Sequence, residues 1–280
     1  VRLCAPFGAT GVASYAVSAI DLALWDLKGK ALGRPVYELL GGPARDEVVC
    51  YATGPQHEWH MELGFSGTKH PLVYGSSDGL DGLKRNVEEL SGVRELVGPD
   101  IELMLDCWMA LDVEYAVRLI EELRPLKLKW VEEILPSEDM DAHAQLRRRA
   151  PWQTLATGEH WYTPVPFQHA ASHHLVDILQ PDIQWVGGLT PLMRICALAD
   201  AAGLAVIPHG GVNSPFGQHA CYALPNIPWG EYFVAVTPGT DLADAAGVPG
   251  AAYPVNGRLQ PSDTPGFGLE IDLSDLPPFA

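Results

Sequence analysis

The chain has 280 residues, of which 47% are hydrophobic, and it carries a formal net charge of −17 at pH 7. This size permits one large α/β domain with a buried core, whereas the negative charge argues against nucleic acid and anionic membranes as partners, because both favour basic surfaces. The five cysteines are scattered without a Cys-x-x-Cys pair, and no run of about 18 apolar residues marks a membrane span, so we expect a protein of the reducing cytoplasm.

The first predicted elements are helices. Apolar residues at helical spacing over residues 13–32 predict an amphipathic helix, and Gly33 and Pro35 mark its C-terminal end. A short second helix over residues 36–40 ends at the sequence Gly-Gly-Pro of residues 41–43. We therefore assign residues 1–47 to a helical N-terminal region.

From residue 48 onward, strands alternate with helices. The predicted strands cover residues 48–52, 68–72, 101–106, 129–133, 154–157, 176–180, 205–207 and 231–236. The clearest helices between them cover residues 113–123, 140–149, 163–171 and 189–202. This alternation is typical of parallel β/α barrels. We therefore expect an α/β protein with a modified TIM barrel over residues 48–236, and a Pro- and Gly-containing segment over residues 237–280 that wraps the barrel exterior.

Three acidic residues occupy equivalent positions in this pattern. Asp106, Glu132 and Glu159 each follow a short apolar strand, and they are separated by 26 and 27 residues. Because barrel enzymes place their chemistry at the C-terminal ends of the strands, the three carboxylates should converge. Such a cluster requires a neutralising cation, and hard oxygen ligands suit Mg²⁺. Any one of these residues alone is more often a turn or helix-capping residue, but their common register favours a metal site.

The next two strand ends carry Asp182 and His209, which are 27 residues apart. On adjacent strands, the carboxylate can accept a hydrogen bond from the imidazole. A carboxylate behind an imidazole fixes its tautomer and raises its basicity, as a general base requires. The two residues therefore read as a His/Asp dyad that faces the metal, although each alone fits an ordinary loop or a helix cap.

Three further residues are weaker candidates for contacts with a substrate. Lys69 lies close to the first residue of the second predicted strand, and a lysine at a strand end is usually solvated. Trp108 and His160 follow two of the proposed metal ligands, although a tryptophan beside a strand end more often packs against its neighbours.

Several segments of the chain resemble the mandelate racemase group of the enolase superfamily, and within it the L-rhamnonate dehydratases. They are residues 18–27 (SAIDLALWDL), 39–42 (LLGG), 104–108 (MLDCW), 129–133 (KWVEE), 158–160 (GEH), 180–182 (QPD), 208–210 (PHG), 254–258 (PVNGR) and 265–268 (PGFG). The resemblance covers nearly the whole chain. As a set, these motifs are highly specific for the superfamily and moderately specific for the acid-sugar dehydratases.

The resemblance implies a function for the predicted site residues. Asp106, Glu132 and Glu159 would bind Mg²⁺, His209 would be the base with Asp182 as its partner, and a family position at the eighth strand, here Glu231, would contact the substrate or the developing enolate. Removal of the proton alpha to the carboxylate of L-rhamnonate or a close aldonate, followed by loss of the 3-hydroxyl, would give a 2-keto-3-deoxy acid. We expect a small-molecule acid sugar as the substrate and a homo-oligomeric enzyme.

Other reactions fit the sequence less well. A racemase or epimerase usually needs a second base, and Lys69 is the one candidate, but His70 and Pro71 replace the family's Lys-x-Lys pattern. A muconate-type cycloisomerase is disfavoured because Asp182 stands where a lysine would be needed. A metal-dependent hydrolase on an unrelated barrel would be expected to cleave esters or amides instead.

The N-terminal region differs from the family pattern. Family members carry an N-terminal α+β capping domain that closes the barrel mouth, and here only residues 14–40 resemble the part that returns to the barrel. Residues 1–47 are therefore expected to be a helical remnant of that domain and its linker, with most of the cap missing. An alternative expectation is a catalytically weak or inactive fragment that binds metal without turnover, because an open site admits water.

Overall fold

The centre of the fold is a curled sheet of eight parallel strands. The computed structural model describes residues 6, 8–245, 250–269 and 271. The strands are β1 (Val48–Thr53), β2 (Gly67–Pro71), β3 (Glu102–Asp106), β4 (Val131–Glu132), β5 (Leu155–Thr157), β6 (Ile178–Leu179), β7 (Ala205–Val206) and β8 (Gly230–Phe233). Their order in the sheet is β7-β6-β5-β4-β3-β2-β1-β8. All eight predicted strands are confirmed, and the barrel class of the fold with them.

The sheet curls so that its two edges meet. The backbone N–H of Val206 donates to the carbonyl of Asn226 at 3.0 Å, and that of Val212 donates to the carbonyl of Glu231 at 3.0 Å. These bonds join the segments around β7 and β8. A short strand, β9 (Arg258–Leu259), pairs antiparallel with the start of β1, so the C-terminal region returns to the barrel wall.

Helices cover the outside of the sheet. They are α1 (Val12–Leu32), α2 (Val36–Leu39), α3 (His57–Glu62), α4 (Gly79–Val97), α5 (Val113–Leu123), α6 (Met140–Arg149), α7 (Pro164–Ser172), α8 (Leu189–Ala201) and α9 (Pro215–Ala223). The six helices named from the sequence are confirmed to within one residue. Helices α3, α4 and α9 were not predicted, because α3 is short and the glycines of α4 and the proline and glycine of α9 weaken the helical signal. Within the described residues, no helix is long and apolar enough to cross a bilayer.

Helix α1 packs through Leu22 and three small residues, Ser14, Ser18 and Gly29, rather than through the rest of its apolar stripe. Ile20, Leu24 and Leu27 are 64%, 60% and 62% exposed, although their spacing predicted the helix. The buried side carries Ser18, whose hydroxyl accepts a hydrogen bond from the backbone N–H of Gly187 at 2.9 Å. Small side chains let this face approach the start of α8 closely. The helix was predicted correctly, but the face that packs against the barrel is not its most hydrophobic one.

The barrel interior has an apolar layer below a polar one. Tyr51, Met104, Trp130, Ala156, Ile178 and Ile207 form one buried cluster inside the sheet. Since side chains alternate along a strand, the next inward position lies two residues further on. Met104 is followed in this way by Asp106, Trp130 by Glu132, and Ile207 by His209. The apolar layer is thus a floor, and the polar side chains gather above it at the C-terminal ends of the strands.

A row of imidazoles joins α3 to the outer face of β2. The Thr68 hydroxyl lies 2.9 Å from His57 Nδ1 and 2.7 Å from His60 Nδ1, and His57 Nε2 lies 2.9 Å from His70 Nδ1. All three histidines are buried. Burial lowers the pKa of His57 to about 3 and that of His60 to about 4, so the row is neutral at neutral pH. The sequence analysis did not single out His57 or His60.

Acid should weaken the fold through this row of histidines. The unfolded chain binds protons near the ordinary histidine pKa of about 6.5, whereas folded His57 and His60 resist protonation down to about 3 and about 4. The stabilisation is therefore complete above about pH 6.5 and declines as the pH falls from there toward about 4. The urea midpoint should fall over this range, and less steeply in His60→Gln. His169→Gln, at an exposed position of α7, is the control; an equally steep decline in His60→Gln would contradict the prediction.

Candidate active site

Six functional candidates lie together at the C-terminal end of the barrel. Asp106 and Glu132 are direct neighbours in the register of β3 and β4. Glu159 follows β5, Asp182 and His209 follow β6 and β7, and Glu231 lies in β8. The strand-end positions inferred from the sequence therefore correspond to one mouth, where loops after parallel strands converge.

Lys69 lies at the centre of the carboxylates. Its Nζ is 3.2 Å from Asp106 Oδ2 and 2.7 Å from Glu231 Oε1, and it also contacts Glu132 Oε1. The side chain is fully buried, so the usual case of a solvated strand-end lysine does not apply. Burial alone would lower the pKa of Lys69, but the three carboxylates raise it well above its ordinary value. Lys69 is thus a buried cation that draws β2, β3, β4 and β8 together.

The second oxygen of Glu132 is also held in place. Glu132 Oε2 accepts a hydrogen bond from Trp130 Nε1 at 2.8 Å and another from Gln180 Nε2 at 2.7 Å. Burial raises the pKa of this carboxyl, against the opposing effect of Lys69. Gln180 belongs to one of the motifs quoted from the sequence, but its contact with Glu132 was not foreseen. The Glu132 carboxylate is therefore held in one orientation inside the barrel.

Glu231, like Glu132, has three polar partners. Besides Lys69, its Oε1 accepts a hydrogen bond from the Thr53 hydroxyl at 2.6 Å, and its Oε2 accepts one from the backbone N–H of Gly210 at 2.8 Å. Burial would raise the pKa of Glu231, but Lys69 and His209 lower it below its ordinary value. Glu231 thus stays ionised and links β8 to β1 and to the loop that carries His209.

His209 and Asp182 form a hydrogen-bonded pair. His209 Nδ1 lies 2.8 Å from Asp182 Oδ2, and His209 Nε2 lies 3.6 Å from Glu159 Oε2. The rings of Trp185 and Phe233 pack against the imidazole, with centroids 5.1 and 5.5 Å away. Burial alone would lower the pKa of His209, but the hydrogen bond to Asp182 and the nearby carboxylates raise it to about 9.

A second pair joins an imidazole to a carboxylate on the neighbouring strand ends. His160 Nδ1 lies 2.8 Å from Glu133 Oε2 and 3.5 Å from Glu159 Oε1. Glu133 was not among the predicted site residues, and strict strand alternation would turn it away from the mouth. However, β4 ends at Glu132, and Glu133 has a φ of 48°, so alternation stops there.

Trp108 stands at the rim of the mouth. Its side chain is 71% exposed, so it is not a packing residue, and its backbone N–H donates to Asp106 Oδ1 at 3.1 Å. His160 is only 21% exposed at its side chain, and Lys69 is buried below both. Of the three weaker candidates, Trp108 and His160 are at least partly exposed, whereas Lys69 is buried and contacts three carboxylates.

The chemistry of these donors fits a divalent cation. Burial raises the pKa of Glu159 to about 9, with only His209 and Lys69 acting in the opposite direction. This carboxylate would therefore be stabilised by further positive charge. Two ligand sets include it. The predicted set is Asp106, Glu132 and Glu159, which are all carboxylates, but among the described residues the set whose donor atoms lie within 4.8 Å of one another is Glu133, Glu159 and His160. The all-oxygen set suits hard ions, and the set with an imidazole suits softer transition metals.

Known proteins and protein families are similar to this chain in sequence. Residues 58–276 match the family described as enolase C-terminal domain-like, and residues 2–41 match the mandelate racemase/muconate lactonizing enzyme N-terminal domain. L-rhamnonate dehydratase from Saccharopolyspora erythraea is 44% identical over 269 residues, which are 95% of this chain and 68% of that protein. Together these matches cover most of the chain.

Solved structures show the same likeness. Rhamnonate dehydratase from Gibberella zeae, complexed with Mg, is similar with a TM-score of 0.92 and 38% identity, over 98% of this chain and 68% of that one. The 3,6-anhydro-D-galactonate cycloisomerase from Zobellia galactanivorans is similar with a TM-score of 0.83 and 29% identity, over 98% and 77% of the two chains.

Removal of the buried ammonium should destabilise the barrel. In Lys69→Met, three buried carboxylates lose their shared cation, and breaking a buried ion pair from one side typically costs about 3–5 kcal/mol. We expect the free energy of unfolding in metal-free buffer to fall by roughly this amount. Lys129→Met, which removes a half-buried lysine that pairs with Glu102 and lies over the Trp229 ring, is the matched control, with an expected loss below about 1 kcal/mol. Equal losses in the two variants would show that the central position of Lys69 has no special weight.

Proposed function

We propose that this chain, which belongs to the mandelate racemase/muconate lactonizing enzyme family of the enolase superfamily, is a Mg²⁺-dependent hydro-lyase that dehydrates a sugar acid. The observation that carries this proposal is the ring of buried carboxylates beside the His209–Asp182 pair. The L-rhamnonate dehydratase relatives support L-rhamnonate or a close aldonate as the substrate.

Asp106, Glu132 and Glu159 would hold the Mg²⁺. Their donor atoms are all hard carboxylate oxygens, whereas the alternative set contains the imidazole of His160, which suits softer transition metals. When bound, Mg²⁺ would supply positive charge that stabilises the ene-diolate form of the substrate and offsets the negative charge that raises the pKa of His209. Glu231 is already bound to Lys69, Thr53 and Gly210. It would therefore contribute a fixed negative charge beside the substrate rather than a metal ligand.

His209 would be the general base. Asp182 accepts the Nδ1 hydrogen, which leaves the lone pair of Nε2 on the side of Glu159. Nε2 takes the proton from C2 of the substrate, and the C–H electron pair becomes the C1–C2 double bond of the ene-diolate. A carboxylate behind the imidazole stabilises the imidazolium that forms.

The same residue would complete the elimination. As the carboxylate re-forms at C1, a double bond forms between C2 and C3, the C3–O bond breaks, and the hydroxyl leaves as water with the proton from imidazolium His209. The resulting enol takes a proton at C3 and loses the proton of its C2 hydroxyl, which gives the 2-keto-3-deoxy acid. One group thus serves as base and then as acid, so the reaction needs no second base on the opposite face.

The remaining assignments complete the proposal. His160, Trp108 and Glu231 would contact the substrate at the mouth, and Lys69 would act from below through Glu231 and the metal ligands. The buried setting of Lys69 disfavours racemisation, since an ammonium held by three carboxylates is not free to exchange protons with a substrate. The exposed Ile20, Leu24 and Leu27 of α1 support association into a homo-oligomer.

A turnover assay tests the proposed function. The purified chain is incubated with Mg²⁺ and a panel of aldonates, and the 2-keto-3-deoxy acid is detected as its semicarbazone, with EDTA as the control. We expect metal-dependent product from L-rhamnonate or a stereochemically close aldonate. An epimerised aldonate without keto acid would favour the racemase alternative. Mg²⁺ binding without any turnover would contradict the proposal and favour a metal-binding role alone.

Replacement of the proposed base separates chemistry from metal binding. His209→Asn removes the proton acceptor but leaves the carboxylates, so turnover should fall by at least about 10³-fold, while the affinity for Mg²⁺ measured by calorimetry stays within about twofold. His169→Gln, at an exposed position on α7, should match the wild type in both measurements. Retention of turnover in His209→Asn would remove this residue as the base.

A further inference from the structure

The site contains a second carboxylate–imidazole pair beside His209 and Asp182. Glu133 is fully buried, and its two oxygens have separate partners: Oε1 accepts a hydrogen bond from the Thr157 hydroxyl at 2.9 Å, and Oε2 lies 2.8 Å from His160 Nδ1. The backbone N–H of Glu133 donates to the carbonyl of Ala156 at 3.1 Å. These contacts fix both the position and the orientation of the carboxylate.

We propose that Glu133 is a positioning residue, which holds the hydrogen of His160 on Nδ1 and thereby presents the lone pair of His160 Nε2 as a hydrogen-bond acceptor for a substrate hydroxyl. A carboxylate only accepts hydrogen bonds, so the Nδ1 atom that faces Glu133 must be the donor. In a neutral imidazole the other nitrogen then carries the lone pair. The hydroxyl contact rests on the proposed function, whereas the tautomer does not.

The backbone conformation of Glu133 is unusual and sets the direction of its side chain. Its φ of 48° lies in the left-handed region, which a residue with a long side chain rarely adopts. This turn directs Glu133 toward Thr157 and His160, although the preceding residue, Glu132, already points into the barrel. Adjacent residues therefore serve two different neighbours: Glu132 contacts Lys69, and Glu133 contacts His160.

The two imidazoles share one aromatic neighbour. The ring of Trp185 packs against His160 with centroids 5.7 Å apart and against His209 with centroids 5.1 Å apart. Both imidazoles have Nδ1 bound to a carboxylate, and both have a side chain that is partly exposed. His209 is placed to take a proton from carbon, whereas His160 is placed to accept a hydrogen bond from oxygen. Sugar acids offer hydroxyl donors on successive carbons, so such an acceptor can select among them.

The rival explanation is that Glu133, Glu159 and His160 bind the metal directly. Their donor atoms are close enough, within 4.8 Å. The two explanations differ in a measurable way, because a metal ligand at His160 Nδ1 must have lost its hydrogen, whereas the positioning role requires that hydrogen to be present.

Imidazole ¹⁵N spectroscopy of the intact chain tests the proposal. The ¹⁵N shifts distinguish the two neutral tautomers, and His160→Gln identifies the His160 signal. We expect hydrogen on Nδ1 in the wild type, both before and after Mg²⁺ is added. In Glu133→Gln that preference should be lost, because an amide can donate or accept. Thr157→Val, which removes only the contact at the other oxygen, should keep it.

Metal affinity and kinetics provide the second readout. In Glu133→Gln we expect the Mg²⁺ affinity to stay within about twofold, the KM for the aldonate to rise about tenfold, and kcat to change less than about threefold. Hydrogen on Nε2 in the wild type, or a more than tenfold loss of Mg²⁺ affinity in Glu133→Gln, would overturn the proposal. The wild-type spectrum decides the tautomer even if Glu133→Gln does not fold. A wild type that dehydrates no aldonate would contradict the proposed function alone.

Discussion

The structure depends on how negative charge is neutralised at the mouth of the barrel. Asp106, Glu132 and Glu231 share a single buried ammonium, that of Lys69, and removing ions from water is tolerated only when their partners are close and well oriented. Each of these residues comes from a different strand, so the same contacts that balance the charge also hold the strand ends in register. Glu159 is not among the carboxylates that contact Lys69. Burial raises its pKa to about 9, so further positive charge beside it would be favourable.

The apolar floor makes this balance effective. Met104, Trp130 and Ile207 separate the mouth from the other end of the barrel, and each precedes a polar residue by two positions. Interactions between charges strengthen where water is excluded, so the floor increases the attraction of Lys69 for its carboxylates and of Asp182 for His209. The ordinary alternation of a strand thus places an insulating layer directly below a reactive one.

Much of this arrangement follows from local sequence patterns, and the remainder depends on contacts between distant residues. The strand ends, the carboxylate register and the His209–Asp182 pair follow from the repeat of the barrel. The burial of Lys69 does not, because its partners are 37 to 162 residues away in the chain, and no local pattern distinguishes it from a solvated lysine. Glu133 was missed because its positive φ breaks strand alternation. In α1, the spacing of the apolar residues predicted the helix correctly. It did not predict which face of the helix is buried, because the apolar stripe is exposed.

Calorimetry of Mg²⁺ binding to Glu132→Gln tests the central claim most directly. We expect one Mg²⁺ per chain in the wild type and an affinity lower by roughly 100-fold in the variant, because one carboxylate ligand and the orientation that Trp130 and Gln180 give it are lost. Glu138→Gln, at an exposed acid beyond β4, should bind as the wild type does. Unchanged affinity in Glu132→Gln would contradict the assignment of Glu132 as a Mg²⁺ ligand, since the carboxylate fixed by Lys69 would then have no part in holding the cation.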